Sequence, residues 1–259
     1  MSLNQIKVDC YSHWGDDWEI AHFGWASTYD RQKAEAFDEE RVRKILGEVL
    51  IPGGHNSPLE SVWFKFYIEI PIFVERQLDK YRVSVQAQCY DHGSFGRLGI
   101  SQNELSGRYR TIPANIYDLP EDIRDIANKV LPTTDMGTGY NEMYDNHMMN
   151  QHGWYREFIR EFREAMEAGK ITNKEYKRWR EVHRGILGTS TFTQLRLVVN
   201  LHSLVGIWRQ RLSHDAQNET GHTAKLMLQG VQARGNIPIA LDLLAKKYNW
   251  EEYLCGSTE

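Results

Sequence analysis

Val62-Trp63-Phe64-Lys65-Phe66-Tyr67-Ile68-Glu69-Ile70-Pro71 decides how the rest of the chain is read. Val62, Phe64, Phe66, Ile68 and Ile70 fall on one side of an extended chain, and Trp63, Lys65, Tyr67 and Glu69 on the other. That two-residue period is the mark of a strand with one buried face. Pro71 ends the strand, since proline has no N–H to give a ladder, and its fixed φ suits the first turn of a short helix over 71–80. Upstream, Val42, Ile45, Leu46 and Val49 recur at helical spacing. They predict a helix over 38–50, capped by Asp38 and stopped at Pro52-Gly53-Gly54.

Downstream, residues 84–100 contain Gly93, Gly96 and Gly99 with no clean period and read as a loop. Helices are predicted over 120–131, 154–168 and 172–187. The second carries Tyr155, Phe158, Ile159, Phe162 and Met166 on one stripe and ends at Gly169. The third starts at Thr172 and is expected to bury Trp179, Val182 and Ile186. Between the first two, 132–153 reads as a polar surface excursion. Leu197, Leu201, Leu204, Val205, Trp208 and Leu212 predict one long helix over 195–216. One clear strand among several helices, without repeat or linker, implies a single mixed α/β (α+β) domain over 1–259 rather than a doubly wound sheet.

Composition narrows the function. The chain has 259 residues and is 41% hydrophobic, enough to bury a sizeable core. Its net charge of −4 offers no general attraction to nucleic acid or an anionic membrane, so any anion site is local. Cys10, Cys89 and Cys255 form no CxxC pair, which argues against a disulfide framework or structural zinc and for a reducing compartment. No leader-like segment or membrane-length apolar run is visible, so the expected location is the cytoplasm. Glu219-x-x-His222 is only half of a di-iron pattern, and His147 and His152 lack a matching carboxylate motif, so no metal is expected. Glycine-rich phosphate loops and a hydrolase nucleophile elbow are absent, and Cys89 reads as an inert thiol.

Three arginine-bearing stretches remain. Ser101-Gln-Asn-Glu-Leu-Ser-Gly-Arg-Tyr109 offers the Glu104 carboxylate, the Ser106 hydroxyl, the free backbone of Gly107 and the Arg108 guanidinium within five residues. Such a set suits a nucleoside monophosphate: a bidentate cation and hydroxyl for phosphate oxygens, polar groups for sugar or base. The others are Arg180-Glu-Val-His-Arg184, and Arg211 with Asp215, Gln217 and Glu219. Taken singly, each reads first as a solvated or salt-bridged helix face, the usual state of a helical arginine.

Asn103-Glu-Leu-Ser-Gly-Arg-Tyr109 resembles the signature of the flavin-dependent thymidylate synthases, Arg-His-Arg-x-x-Ser-x-Asn-Glu-x-Ser-x-Arg-Tyr. Gly54-His-Asn-Ser-Pro-Leu-Glu60 is similar to the family's Gly-His-x-Ser/Thr-Pro-x-Glu turn, and Pro71-Ile-Phe-Val-Glu-Arg-Gln77 to the helix before the signature. Asn200-Leu-His-Ser-Leu204, Arg211 and Ala216-Gln-Asn-Glu219 match its C-terminal helix in content and spacing. Several features depart from the pattern. Lys80-Tyr81-Arg82 replaces Arg-His-Arg and is followed by an insertion over 83–100, which reads as a lid; Trp25 and His202 stand where arginine is usual, and Gly206 where asparagine is.

The resemblance implies a central sheet flanked by helices and a homotetramer with shared active sites. It implies methylation of dUMP to dTMP with methylenetetrahydrofolate as carbon donor, FAD as hydride carrier and NADPH as reductant. By resemblance, Gln77, Lys80, Glu104, Leu105, Ser106, Gly107, Arg108, Arg184 and Arg211 contact the nucleotide, and Arg211 is catalytic because it polarises the uracil. Ser27, His55, Ser57, Lys80, Tyr81, Arg82, Asn103, Glu104, Asn200, His202 and Gly206 surround flavin or folate. Alternatives are a diverged member that hydroxymethylates or methylates another pyrimidine deoxynucleotide such as dCMP, or a non-catalytic nucleotide-binding homologue.

Overall fold

Four strands, β1 (Lys7–Trp14), β2 (Trp63–Pro71), β3 (Ile100–Glu104) and β4 (Phe192–Asn200), form a small antiparallel sheet in the order β1-β2-β4-β3. This computed structural model describes residues 2–25, 37–50, 56–78, 100–105, 110–113, 115–131, 133, 137–213 and 216–254. β2 is a central strand, and the alternation predicted for it is seen: Val62, Phe64, Phe66, Ile68 and Ile70 are all 0% exposed. Pro71 is its last residue, and helix α3 (Ile72–Leu78) follows at once.

The other central strand corrects the sequence reading. Residues 192–200 form β4, not the first turns of a helix over 195–216, and α7 spans only Leu201–Arg211. Leu195, Leu197 and Val199 are buried at a period of two, with Arg196 exposed between them. Leu197, Leu201 and Leu204 also satisfy a helical spacing, which joined a strand and a helix into one apparent stripe. Asn200 marks the true junction: its side-chain oxygen accepts from the N–H of Ser203 at 2.9 Å and caps α7. The loop reading over 84–100 is likewise corrected at its end, where Ile100 opens β3; residues 84–99 lie outside the described residues.

The chain divides into two compact units. One contains residues 7–68, 76–103 and 195–259. It holds α1 (Asp17–Trp25), α2 (Glu39–Leu50), α7, α8 (Asn218–Arg234) and α9 (Pro238–Tyr248). α2 is the helix expected over 38–50, and Asp38 Oδ1 accepts from the Arg41 N–H at 2.8 Å as its cap. Asp17, fully buried, accepts from the N–H groups of Ile239 and Ala240 at 2.8 and 2.9 Å, satisfying donors of the first turn of α9. α8 packs on β1 at Gly230, where a Cβ would lie only 3.0 Å from that of Cys10.

The other unit contains residues 1–6, 69–75 and 104–194, with α4 (Glu121–Val130), α5 (Tyr140–Glu167) and α6 (Asn173–His183). α4 agrees with the helix expected over 120–131, and Arg124 ties it to α5 through two hydrogen bonds to Asp145, at 3.0 and 2.8 Å. α5 is the second correction. It starts at Tyr140, within the stretch read as a surface excursion. Its inward stripe there is Tyr144, Met148 and His152, continuing to Tyr155 and Ile159. Tyr144 donates to Ser190 Oγ at 3.0 Å, and His152 Nε2 lies 3.0 Å from Thr191 Oγ1, so polar-tipped side chains occupy core positions. A pattern of hydrophobicity does not register such positions. α6 is opened by a capping box between Thr172 and Glu175. It buries Tyr176 and Arg180, whereas Val182, expected inside, is 62% exposed.

His152 is 2% exposed, and burial, reinforced by the nearby Arg156 charge, holds its pKa below the usual imidazole value. The unfolded chain therefore takes up this proton first as pH falls, and stability is lost below about pH 6.5. We expect the melting temperature to drop between about pH 7.5 and about pH 5.5, and to drop less in His152→Gln. Equal drops in the two proteins would remove His152 from the linkage.

Candidate functional site

Glu104 closes β3, and the register of the sheet sets its surroundings. Leu105 N–H donates to the Gln194 carbonyl at 2.9 Å, while Thr193 Oγ1 donates to Glu104 Oε1 at 2.6 Å. Thr193 is 4% exposed and Glu104 is exposed, so a buried hydroxyl holds one oxygen of an open carboxylate. Thr193 had no place in the sequence reading, because a threonine on a strand ordinarily signals only β propensity. Arg184 lies in the turn that ends α6, where its Nε donates to the Glu181 carbonyl at 3.2 Å. Ser106, Gly107 and Arg108 lie outside the described residues.

The same unit holds an open cleft of about 470 Å3 between α5 and α6, lined by Trp154, Phe158, Phe162, Trp179, His183 and their neighbours. Phe162 and Trp179 stack at 3.8 Å with 4° between planes, and Trp179 continues onto His183 at 4.3 Å. Burial lowers the His183 pKa, against a hydrogen bond to the Tyr155 carbonyl that raises it. Phe158 and Phe162 belong to the stripe that the sequence places inside. The structure leaves Trp154 56% and Phe158 40% exposed.

In the other unit, the start of α7 gathers several residues assigned to flavin or folate by resemblance. Leu201 N–H donates to the Val62 carbonyl at 2.9 Å, setting the helix beside the short 3-10 turn Ser57–Ser61. His202 Nδ1 lies 3.1 Å from Glu60 Oε1 of that turn, and Ser57 on the same turn is exposed. With Nδ1 engaged, Nε2 is the ring atom through which His202 can meet a ligand. Asn200 is 5% exposed, and its side-chain oxygen serves the cap. Gly206 is half-buried one turn further along α7, Gln77 is half-buried on α3, and Asn103 is exposed on β3. Ser27, His55, Lys80, Tyr81, Arg82 and the inserted segment 83–99 lie outside the described residues.

Arg211 is the last residue of α7 and is half-buried; loss of solvent around its guanidinium lowers the pKa from the usual arginine value. The end of the helix is fixed from two sides. Tyr253 donates its hydroxyl to the Leu212 carbonyl at 3.2 Å, and Gly221 of α8 approaches so closely that a Cβ would lie 3.0 Å from the Arg211 carbonyl oxygen. Cys10 is 3% exposed, and burial pushes its thiol up to about 11, which leaves it protonated and unreactive near neutral pH. Among the described residues no cluster of His, Cys, Asp or Glu could hold a metal ion, and no helix is long and apolar enough to cross a membrane.

The family model described as "Thymidylate synthase complementing protein" matches residues 10–235, a span that includes the Glu104 segment and the whole of α7. The chain belongs to this family. A flavin-dependent thymidylate synthase of Pseudothermotoga lettingae is 28% identical over 88% of this chain and 85% of that protein. The one from Kosmotoga olearia is 32% identical over 70% of this chain and 66% of its own length. Among solved structures, a UMP/dUMP methylase, PolB, from Streptomyces cacaoi bound with 5-Br dUMP superposes with a TM-score of 0.62. That match is 20% identical and covers 94% of this chain and 96% of the other, so the two share a fold. This chain is accordingly an enzyme of the flavin-dependent thymidylate synthase family, built from helices and a small antiparallel sheet.

Gly221→Ala would press a methyl group against the Arg211 carbonyl, and overpacking of this kind costs about 1–3 kcal/mol. Urea unfolding should show that loss as a lowered midpoint. An unchanged midpoint would mean that the joint between α7 and α8 gives way freely.

Proposed function

We propose that the protein methylates dUMP to dTMP, with methylenetetrahydrofolate as carbon donor, FAD as hydride carrier and NADPH as reductant. The observation that carries this reading is the single family match that spans both a held carboxylate, Glu104, and a partly dehydrated guanidinium, Arg211. The PolB structures, with 5-Br dUMP or 5-Br UMP bound, support a pyrimidine nucleotide as the substrate class.

In this reading the nucleotide is bound by Glu104, Leu105, Ser106, Gly107, Arg108, Gln77, Lys80, Arg184 and Arg211. The guanidinium of Arg211 sits against the N3–C4=O edge of the uracil. Negative charge that develops on that edge as C5 becomes nucleophilic is stabilised by an aimed cation, and more strongly so where water is scarce. No enzyme thiolate is required, which agrees with the protonated Cys10.

The described residues assigned to the cofactor end suit a flavin's polar ring edge: an exposed Ser57 hydroxyl, the exposed Asn103 amide and an imidazole oriented by Glu60. When bound, the flavin supplies hydride chemistry that no side chain offers. The chain's share is to orient the ring and hold water away. β2 and β4 each run from one compact unit into the other, and this supports reading 1–259 as one domain. The active form is a cytoplasmic homotetramer with shared active sites.

Purified protein supplied with dUMP, methylenetetrahydrofolate, FAD and NADPH should yield dTMP, identified by mass, and should show flavin absorbance. No dTMP and no bound flavin would overturn the reading. Arg211→Ala should lower turnover by about 10²–10³, the usual loss for one preorganised charge-stabilising donor. Replacement of Cys10, Cys89 and Cys255 together by Ser should leave turnover largely intact. If a folded Cys89→Ser variant lost all turnover, a covalent mechanism would replace this one.

A further inference from the structure

We infer that Thr193 is a positioning residue for the nucleotide: its hydroxyl fixes one oxygen of Glu104, leaving the other to accept from a hydroxyl or N–H of the ligand. The inference rests on Glu104 being a nucleotide contact, as proposed above. The hydrogen bond between Thr193 and Glu104 is short and direct. Its 2.6 Å length is that of an O–H donor to an ionised carboxylate. The donor cannot swing away, because Thr193 is 4% exposed on β4, and a β-branched side chain has few rotamers open to it.

The backbone supports the same registration. Leu105 N–H bonds to the Gln194 carbonyl at 2.9 Å, so the residue after Glu104 is tied to the residue after Thr193. An exposed glutamate would otherwise sample many rotamers, and a ligand that ordered it would bind more weakly by that entropy. Ordering Glu104 before the nucleotide arrives removes the cost from binding. A purely structural role fits less well, since an exposed carboxylate left by Thr193 would simply be hydrated.

Thr193→Val keeps shape and branching while deleting the donor. In the flavin-loaded protein it should weaken dUMP binding about tenfold, equivalent to about 1.4 kcal/mol, with little change in melting temperature. The loss should fall on KM rather than kcat, and Thr193→Ser should restore the parent affinity. In a Glu104→Gln background, Thr193→Val should add almost nothing, because the two groups act as one unit. Equal dUMP affinity in parent and Thr193→Val, or effects that simply add, would overturn the inference while leaving the proposed function standing. Failure of the parent to bind dUMP would instead overturn the reading on which it rests. Should Thr193→Val not fold, Thr193→Ala provides the same deletion with the same two outcomes.

Discussion

Pairing of β2 with β4 at the middle of the sheet is the constraint on which the candidate site depends. Each strand buries alternate apolar residues, Phe64, Phe66, Ile68 and Ile70 on one and Leu195, Leu197 and Val199 on the other. A slip of one residue would turn every one of them outward, so the register is strongly held. Each strand also delivers its chain straight into a helix, β2 into α3 at Ile72 and β4 into α7 at Leu201. The hydrophobic pattern therefore sets where the candidate site residues begin: Gln77 on α3, and His202, Gly206 and Arg211 on α7. At the opposite end of β4, the pairing with β3 sets Glu104 against Thr193.

The polar chemistry follows one plan at three positions. Glu104 is held by the Thr193 hydroxyl, His202 by Glu60, and the end of α7 that bears Arg211 by Tyr253 and the close approach of Gly221. In each case a group on a rigid element restrains a candidate side chain, or the helix end that carries it, before any ligand arrives. Preorganisation of this kind lowers the ordering cost of binding and keeps charges aimed where charge develops. The replacement of the usual arginine by His202 is consistent with the plan, since Glu60 gives the imidazole a fixed partner.

Much of this was legible in the residues, and the exceptions share a cause. β2 and α2 could be read because their apolar residues follow one period without interruption and Asp38 caps the helix. β4 could not, because Leu197, Leu201 and Leu204 fit a helix as well as Leu195, Leu197 and Val199 fit a strand. The first half of α5 was hidden because Tyr144 and His152 face the core through hydrogen bonds to Ser190 and Thr191. α6 misled in the opposite sense, burying Arg180 and exposing Val182. At the candidate site, Glu104 and Arg211 were singled out through their motifs. Thr193 was not, since its contact with Glu104 comes from a strand pairing 89 positions apart in sequence.

The central claim is that the methylene carried by the folate is reduced by electrons that the folate does not supply. The oxidation state of the folate product tests it most directly. With dUMP, methylenetetrahydrofolate, FAD and NADPH, the account predicts one tetrahydrofolate and one oxidised nicotinamide for each dTMP formed. Dihydrofolate formed in step with dTMP, without consumption of NADPH, would contradict it.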